Sequence, residues 1–213
     1  SLIFTAPHSD VALINGMLPA GKVTTVSGSV PNPPKQLGAE IKAFLISKQI
    51  PVSGNVETSY GNLIQGKEKK TYSAKNQFFE YQSPTLDKIV YWFMRKSINF
   101  YGETLVKTIG KEKKNDSSYK SGVSVLKDFW KSKGINPLMI NFADGSGLSP
   151  QNYVSARAEV QALLYAQKQP WFKEYLESFP TQNQMKMKSG TIRDCKSFAG
   201  YHTSKSGKKY VFS

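Results

Sequence analysis

Three short stretches of the chain combine residue types able to do chemistry. Lys188-Ser189-Gly190 sets a cation, a hydroxyl and a residue without Cβ in succession. It follows an alternation of Met185 and Met187 with Lys186 and Lys188, the period of a half-buried strand. Such an edge attracts anions, or is a surface strand with solvated lysines. Ser97 and Asn99 stand two apart between two apolar helical stripes, where a hydroxyl and an amide either cap a kink or face a site. Asp144-Gly145-Ser146-Gly147 brackets a serine with glycines behind an aspartate, which demands unusual backbone angles.

Composition narrows the context for these groups. The 213 residues, 39% hydrophobic and 12% aromatic, suffice for a folded core. No run of about 18 apolar residues is present to cross a bilayer. Ser1-Leu2-Ile3-Phe4 lacks a charged n-region, so any leader peptide lies upstream. The lone Cys195 excludes an internal disulfide and a multi-cysteine zinc site, and reads as a small packed side chain opening a strand. No metal and no cofactor is expected. The excess of 29 Lys+Arg over 15 Asp+Glu, a net charge of +14, fits a nucleic acid, an anionic polymer or solubility alone. The lysine runs Lys67 to Lys70, Lys111 to Lys114 and Lys205 to Lys209 lie beside Gly, Ser or Asn and read as solvated loops. None forms a zinc-finger, basic-zipper or RNA-binding pattern, and no nucleic-acid partner is expected.

The elements that must position the three stretches follow from periodicity. Val23 to Val26 reads as a strand after the turn Leu18-Pro19-Ala20-Gly21. Pro33-Pro34 open a helix carrying Leu37, Ile41, Phe44 and Leu45, stopped by Pro51 and Gly54. Val56 to Tyr72 looks like an interrupted strand. Within it Gly61 to Lys67 fits G-x-x-x-x-G-K, but Glu68 replaces the metal-ligating hydroxyl and no amphipathic helix follows, so it is no phosphate loop. Ser83-Pro84 cap a helix striped by Leu86, Ile89, Val90, Phe93 and Met94, which delivers Ser97-Ile98-Asn99. Tyr101 to Ile109 resumes as a helix, with Glu103 and Lys107 at i, i+4 and Gly110 as its stop. A polar loop from Lys111 to Ser121 precedes a helix with Val123, Leu126, Phe129 and Trp130 that ends at Gly134. Ser155 caps a helix carrying Val160, Leu163 and Leu164, and Trp171 to Phe179 stripe a short one before Pro180. Gln184 to Thr191, Lys196 to Thr203 and Lys208 to Phe212 form a meander, its last turn at Ser204 to Gly207.

A composite emerges in fixed order. It runs Ser83-Pro84-Thr85-Leu86, Lys96-Ser97-Ile98-Asn99 with Tyr101-Gly102-Glu103, Asp144-Gly145-Ser146-Gly147-Leu148-Ser149 with Asn152, and Lys188-Ser189-Gly190 before Ala199-Gly200-Tyr201. From about Leu18 to the end this resembles the class C low-molecular-mass penicillin-binding proteins, the D-alanyl-D-alanine carboxypeptidase/endopeptidases of peptidase family S13. The Asp-Gly-Ser-Gly-Leu-Ser block is the most family-specific part. The resemblance implies an α+β, transpeptidase-like fold of the penicillin-binding-protein/serine β-lactamase kind, an antiparallel sheet flanked by helices over residues 78–213. Residues 1–77 would be the remnant and return segment of an inserted domain. It further implies a serine peptidase acting on peptidoglycan stem peptides through an acyl-enzyme, acylated by β-lactams, in the periplasm or cell envelope.

The resemblance also implies roles. Ser97 relays a proton towards the leaving amine, and Asn99 orients a catalytic lysine and the substrate amide. Lys188 polarises that relay and, with Ser189, attracts the substrate carboxylate. The backbone N–H of Thr191 is half of an oxyanion hole. Ser189, Gly190 and Thr191, with Asp144, Gly145, Ser146 and Gly147, are the expected substrate-binding residues, and the substrate lies along the strand as an added strand. Departures are Ser189 in place of threonine, which loses the methyl that stiffens χ1, Ile98 between Ser97 and Asn99, and Pro150 where many relatives carry arginine. The stretch from Pro180 to Met185 is shorter than the family pattern.

The nucleophilic Ser-x-x-Lys of the family precedes the other motifs. Here Ser117 to Lys120, Ser124 to Lys127 and Ser206 to Lys209 all follow Ser97. Ser124 and Lys127 fall opposite Val123, Leu126 and Trp130 and should be solvated, whereas a nucleophile is held in a cleft. The chain thus reads as a C-terminal part without its nucleophile, inactive by itself. Two rivals remain. In one, Ser146 is the nucleophile of another hydrolase, but Asp144 and Leu148 stand where G-x-S-x-G has glycines, and only His8 and His202 are available as base. In the other, the scaffold is a non-catalytic binder of an anionic cell-wall polymer.

Overall fold

The computed structural model describes residues 2–9, 11–17, 20–23, 25–77, 79–192 and 195–213. The chain divides into two compact units, Ser1–Glu80 and Tyr81–Ser213. Phe78, at the boundary expected from sequence, lies outside the described residues.

In the first unit, β1 (Leu2–Thr5) pairs antiparallel with β2 (Ala12–Asn15). Helix α1 (Pro33–Ser47) starts where the Asn32 side chain accepts from the Lys35 N–H at 3.3 Å and two prolines occupy its first turn. Its apolar residues Leu37, Ile41 and Phe44 are exposed. The strand expected at Val23 to Val26 is not formed among the described residues there, and Leu18, Pro19 and Thr24 lie outside them. The interrupted strand expected from Val56 to Tyr72 is instead the short helix α2 (Ser59–Ile64), because the Thr58 hydroxyl accepts from the Gly61 N–H at 3.0 Å and caps a turn. Lys67 and Lys70 are not simply solvated: both donate to the Glu57 carboxylate, at 3.4 and 2.8 Å. The Lys70 hydrogen bond, with those of Asn62 and the charge of Lys67, holds that exposed carboxyl at about 2.

The second unit layers helices on a sheet. Helix α3 (Leu86–Lys96) begins two residues later than expected, with Thr85 at the cap, since the Ser83 hydroxyl donates to the Pro84 carbonyl instead. After the joint at Ser97-Ile98, α4 (Asn99–Lys114) runs through Gly110 rather than stopping there. Gly110 is a packing residue: a Cβ on it would lie 2.8 Å from the backbone nitrogen of Gly122, and one on Gly122 would lie 2.1 Å from the Val106 carbonyl oxygen. Helix α5 (Tyr119–Ser132) can approach α4 only because both glycines lack that atom. Asn115, at φ 52°, ends α4, so the expected polar loop shrinks to residues 115–118 and Lys111 to Lys114 lie on the helix, favourably placed at its C-terminus.

The remaining helices and the meander follow the expected order, with three two-residue strands added. The two-residue strands β3 (Ile140–Asn141) and β4 (Tyr153–Val154) pair antiparallel, and the Ser155 hydroxyl caps α6 (Ala156–Gln167) by accepting from Ala158 at 3.2 Å. Helix α7 (Phe172–Ser178) leads into β5 (Thr181–Gln182), β6 (Met185–Ile192), β7 (Cys195–Thr203) and β8 (Lys209–Phe212), an antiparallel sheet in that order. Pro180 to Met185 is short because β5 and β6 meet in a two-residue hairpin, Asn183 and Gln184 both taking positive φ. The core joins Leu163, Phe179, Ala199 and Tyr201, with Met94, Tyr175, Leu176 and Val211 packed against it. Burying a side chain such as Phe179, 1% exposed, contributes on the order of 2–3 kcal/mol. The Tyr201 hydroxyl satisfies itself by donating to the Leu163 carbonyl at 2.8 Å. Ile135, Ile140 and Ala158 form a second cluster, with Trp130, Met139, Phe142 and Ala162 packed on it.

Candidate active site

The joint between α3 and α4 is built by one left-handed residue. Ser97 takes φ 50°, ψ 50°, a conformation that costs a non-glycine residue roughly 1–2 kcal/mol and therefore has to be imposed by its surroundings. Ile98 is extended and Asn99 opens α4. Neither Ser97 nor Asn99 makes a side-chain cap, both are exposed, and neither side chain is hydrogen-bonded among the described residues. The hydroxyl and the amide therefore stay available while the backbone carries the bend.

One turn into α4, a side chain ties that helix to the Asp144 turn. The Glu103 carboxylate accepts from the N–H groups of Gly145 and Ser146, at 3.1 and 3.3 Å. It is thus turned away from the i+4 pairing with Lys107 that its spacing suggested, and Lys107 sits over the Tyr119 ring at 4.5 Å. Burial, then the charge of Glu103, pushes the Tyr119 phenol up.

The Asp144 turn is closed from within. One Asp144 oxygen accepts from the Gly147 N–H at 2.7 Å and from the Asn152 amide at 2.8 Å, and the other from the Ser149 N–H at 2.7 Å. The Asn152 carbonyl oxygen in turn accepts from the Ala143 N–H at 2.8 Å, and β3 and β4 clamp the two ends of the loop. Gly147 at φ 79° and Leu148 form its exposed tip. The Ser146 hydroxyl accepts from the Leu148 N–H at 3.4 Å, and no histidine is among its partners in the described residues.

Lys188 lies on β6 opposite Ala199, and Lys186 opposite Tyr201, so both lysines share the face of the sheet that holds the core. Burial pushes the half-buried Lys188 ammonium down, and it donates to the Ser189 carbonyl at 2.6 Å. β5 covers only the first residues of β6, and from Lys188 onward that edge has no partner strand among the described residues. The Met187 N–H donates to the Pro180 carbonyl on the β5 side. By the two-residue period, the N–H and C=O groups of Ser189 and Thr191 point to the same, open edge. A Cβ on Gly190 would only touch the Ser197 hydroxyl, at 3.4 Å, and Gly190 lacks a positive φ, so nothing among the described residues requires a glycine there.

The two halves of the site rest on one core. Met94, one turn before Ser97, packs on the cluster that contains Ala199, the register partner of Lys188, and the Arg95 guanidinium ties α3 to the C-terminus of α7 through the Glu177 carbonyl at 3.1 Å. Ser124 and Lys127 do not bond each other. Lys127 donates to the Asn141 side chain at 2.6 Å rather than standing in solvent, and Ser124 accepts from Lys114 at 2.8 Å. Cys195 is exposed, not packed, because it sits at the outer end of β7, beyond the buried Ala199 to Tyr201.

Comparison with known proteins identifies the family and the fold. The model of the D-Ala-D-Ala carboxypeptidase 3 (S13) family matches residues 5–213. A D-alanyl-D-alanine carboxypeptidase of Actinomadura sp. (strain R39) is 27% identical over 172 residues, 80% of this chain and 31% of the relative. Among solved structures, penicillin binding protein 4 (dacB) from Haemophilus influenzae, complexed with a novel β-lactam, is 25% identical with a TM-score of 0.53, over 59% of this chain and 33% of that one. A second structure of it, 23% identical with a TM-score of 0.54, covers 59% and 32%. The fold is the α+β architecture of these proteins, and the chain spans about a third of the length of the relatives it matches.

Proposed function

We propose that this chain, which belongs to the D-Ala-D-Ala carboxypeptidase 3 (S13) family, supplies two walls of the acylation cleft of a serine D-Ala-D-Ala carboxypeptidase/endopeptidase. One wall is the Ser97-Ile98-Asn99 joint and the other the open edge of β6 at Lys188-Ser189-Gly190-Thr191. The carrying observation is that both rest on one core while the Ser97 and Asn99 side chains are left unbonded. The nucleophilic serine and its lysine come from sequence outside these 213 residues, and the 213 residues alone are inactive.

The chemistry then proceeds in two steps. The nucleophilic serine oxygen bonds to the carbonyl carbon of the penultimate D-alanine of a peptidoglycan stem peptide, and the bond to the terminal D-alanine nitrogen breaks. The leaving amine takes a proton through Ser97, and Lys188 lowers the cost of a transient negative charge on that relay. Water then cleaves the ester and restores the serine. The Thr191 N–H, on the open edge, stabilises the oxyanion, Lys188 and Ser189 hold the terminal carboxylate, and the bare Cα of Gly190 lets the peptide lie against the strand. Asn99 orients the incoming lysine and the substrate amide. The Asp144-Gly145-Ser146-Gly147 turn borders the substrate through its exposed tip. Residues 1–77 serve as the return segment of an inserted domain, and the enzyme works in the cell envelope, where its substrate is.

The reading is tested by incubating the intact gene product with a labelled penicillin, which should form a stable adduct on a serine of a Ser-x-x-Lys segment. A protein with no such segment and no adduct would instead be the binder of an anionic cell-wall polymer that the net charge of +14 favours.

A further inference from the structure

The geometry of Ser97 and Asn99 has a source outside their own stretch of chain. Ser97 is left-handed without the freedom of a glycine, and neither it nor Asn99 uses its side chain to hold itself there. The joint is therefore held through the backbone of α4, and the first turns of α4 are fixed at Gly102 and Glu103. Glu103 accepts two consecutive backbone N–H groups from a turn more than 40 residues away, at 3.1 and 3.3 Å. Charge-assisted bonds of that kind are about twice as strong as neutral ones. Beside it, Gly102 and Gly145 approach so closely that neither can carry a side chain. That turn is itself locked by Asp144 and Asn152.

We infer that Glu103 is a positioning residue for the acylation reaction: by clamping Gly145 and Ser146 to α4, it sets where the Ser97 hydroxyl and the Asn99 amide stand. This rests on the function proposed above. The carboxylate touches neither substrate nor nucleophile. Its effect is confined to the Ser97 wall, since Lys188 and Ser189 are held by sheet register and not by the clamp.

Removing the clamp should therefore slow acylation without weakening the initial, non-covalent capture of a penicillin. In Glu103→Gln, one backbone N–H faces an amide NH2 or a weaker neutral acceptor. In Glu103→Asp, the charge stays but the reach shortens by one methylene. With the intact protein and a labelled penicillin, the saturating acylation rate should fall about 10²-fold in both variants, as for a catalytic group displaced by about 1 Å. The dissociation constant of the complex formed before acylation should stay within about threefold, a split that general loss of structure would not give. Glu112→Gln, an exposed carboxylate on the same helix, is the control and should change neither. If Glu103→Gln is too unstable to purify folded, Glu103→Asp carries the same test. A folded variant acylated at the wild-type rate, or one that loses only initial affinity, overturns the inference. A wild-type protein that forms no adduct overturns the proposed function, and the inference with it.

Discussion

Gly102 of α4 and Gly145 of the Asp-Gly-Ser-Gly turn meet backbone to backbone: a Cβ on Gly102 would stand 2.2 Å from the Gly145 carbonyl oxygen, and one on Gly145 2.0 Å from that of Gly102. The nearest contact atoms on both sides are main chain, so no side-chain rotation relieves the clash. Two glycines 43 positions apart are thus one feature, and that feature joins α4, three residues after Asn99, to the Asp144 turn.

Gly145→Ala should destabilise the protein by about 1–3 kcal/mol, the usual cost of overpacking a filled contact, read as a lower denaturant midpoint with an unchanged slope. Gly207→Ala is a contrast, since a Cβ there meets nothing within 4 Å and only the positive φ of 80° resists it. Its loss should be smaller, on the order of 1 kcal/mol. Equal losses would mean that the backbone contact is not tight in solution.

Ser97 separates strain from chemistry. Ser97→Gly relieves the left-handed backbone, and relative to Ser97→Ala it should be more stable by on the order of 1 kcal/mol. Both lose the hydroxyl, so both should be acylated much more slowly than the wild type, by about 10²- to 10⁴-fold if the group relays a proton. Thermal melts and acylation rates of the two variants measure the two effects. If Ser97→Gly is the less stable variant, the joint is not strained.

Two phenols of the core set an alkaline limit. Burial pushes Tyr175 up to about 12 and Tyr201 higher still. Unfolded, both ionise near 10, so the unfolded state releases protons first. Their contribution is fully present below pH 10 and lost as the pH climbs towards the folded values. Stability should therefore fall steeply from about pH 10 upward. The Tyr175→Phe, Tyr201→Phe double variant should show a shallower fall when pH-dependent melts are compared, after a loss of about 0.5–1.5 kcal/mol at neutral pH for the hydrogen bond to Leu163. An unaltered alkaline slope would contradict the assignment.

Much of this organisation is legible in the chain, and what is not has physical reasons. The alternation at Met185 to Lys188 marks β6 as a strand, but not that both its faces are covered: Met187 is buried on one, and Lys186 and Lys188 share the other with Tyr201 and Ala199. The polar pair Ser97 and Asn99 between two stripes marks the joint of α3 and α4. Gly110 misleads because glycine both ends helices and permits close packing, and only Gly122 on the neighbouring helix decides between the two. Thr58 turns a strand-like stretch into a helix by capping it, which β-propensity does not register. Glu103 is read towards Lys107 because i, i+4 spacing is visible locally, whereas its real partners lie more than 40 residues on. Cys195 reads as packed because cysteine usually is, but the end of a strand is not its buried middle.

The most direct measurement is the acylation of the intact gene product by a labelled penicillin, for the wild type and for Lys188→Ala, with the adduct located by mass spectrometry. The wild type should carry one adduct on the serine of a Ser-x-x-Lys segment. Lys188→Ala, with its melting transition retained, should lose acylation by at least about 10²-fold, as when one oxyanion-hole or carboxylate-binding donor is removed. Wild-type protein without an adduct, or Lys188→Ala acylated at the wild-type rate, would contradict the account.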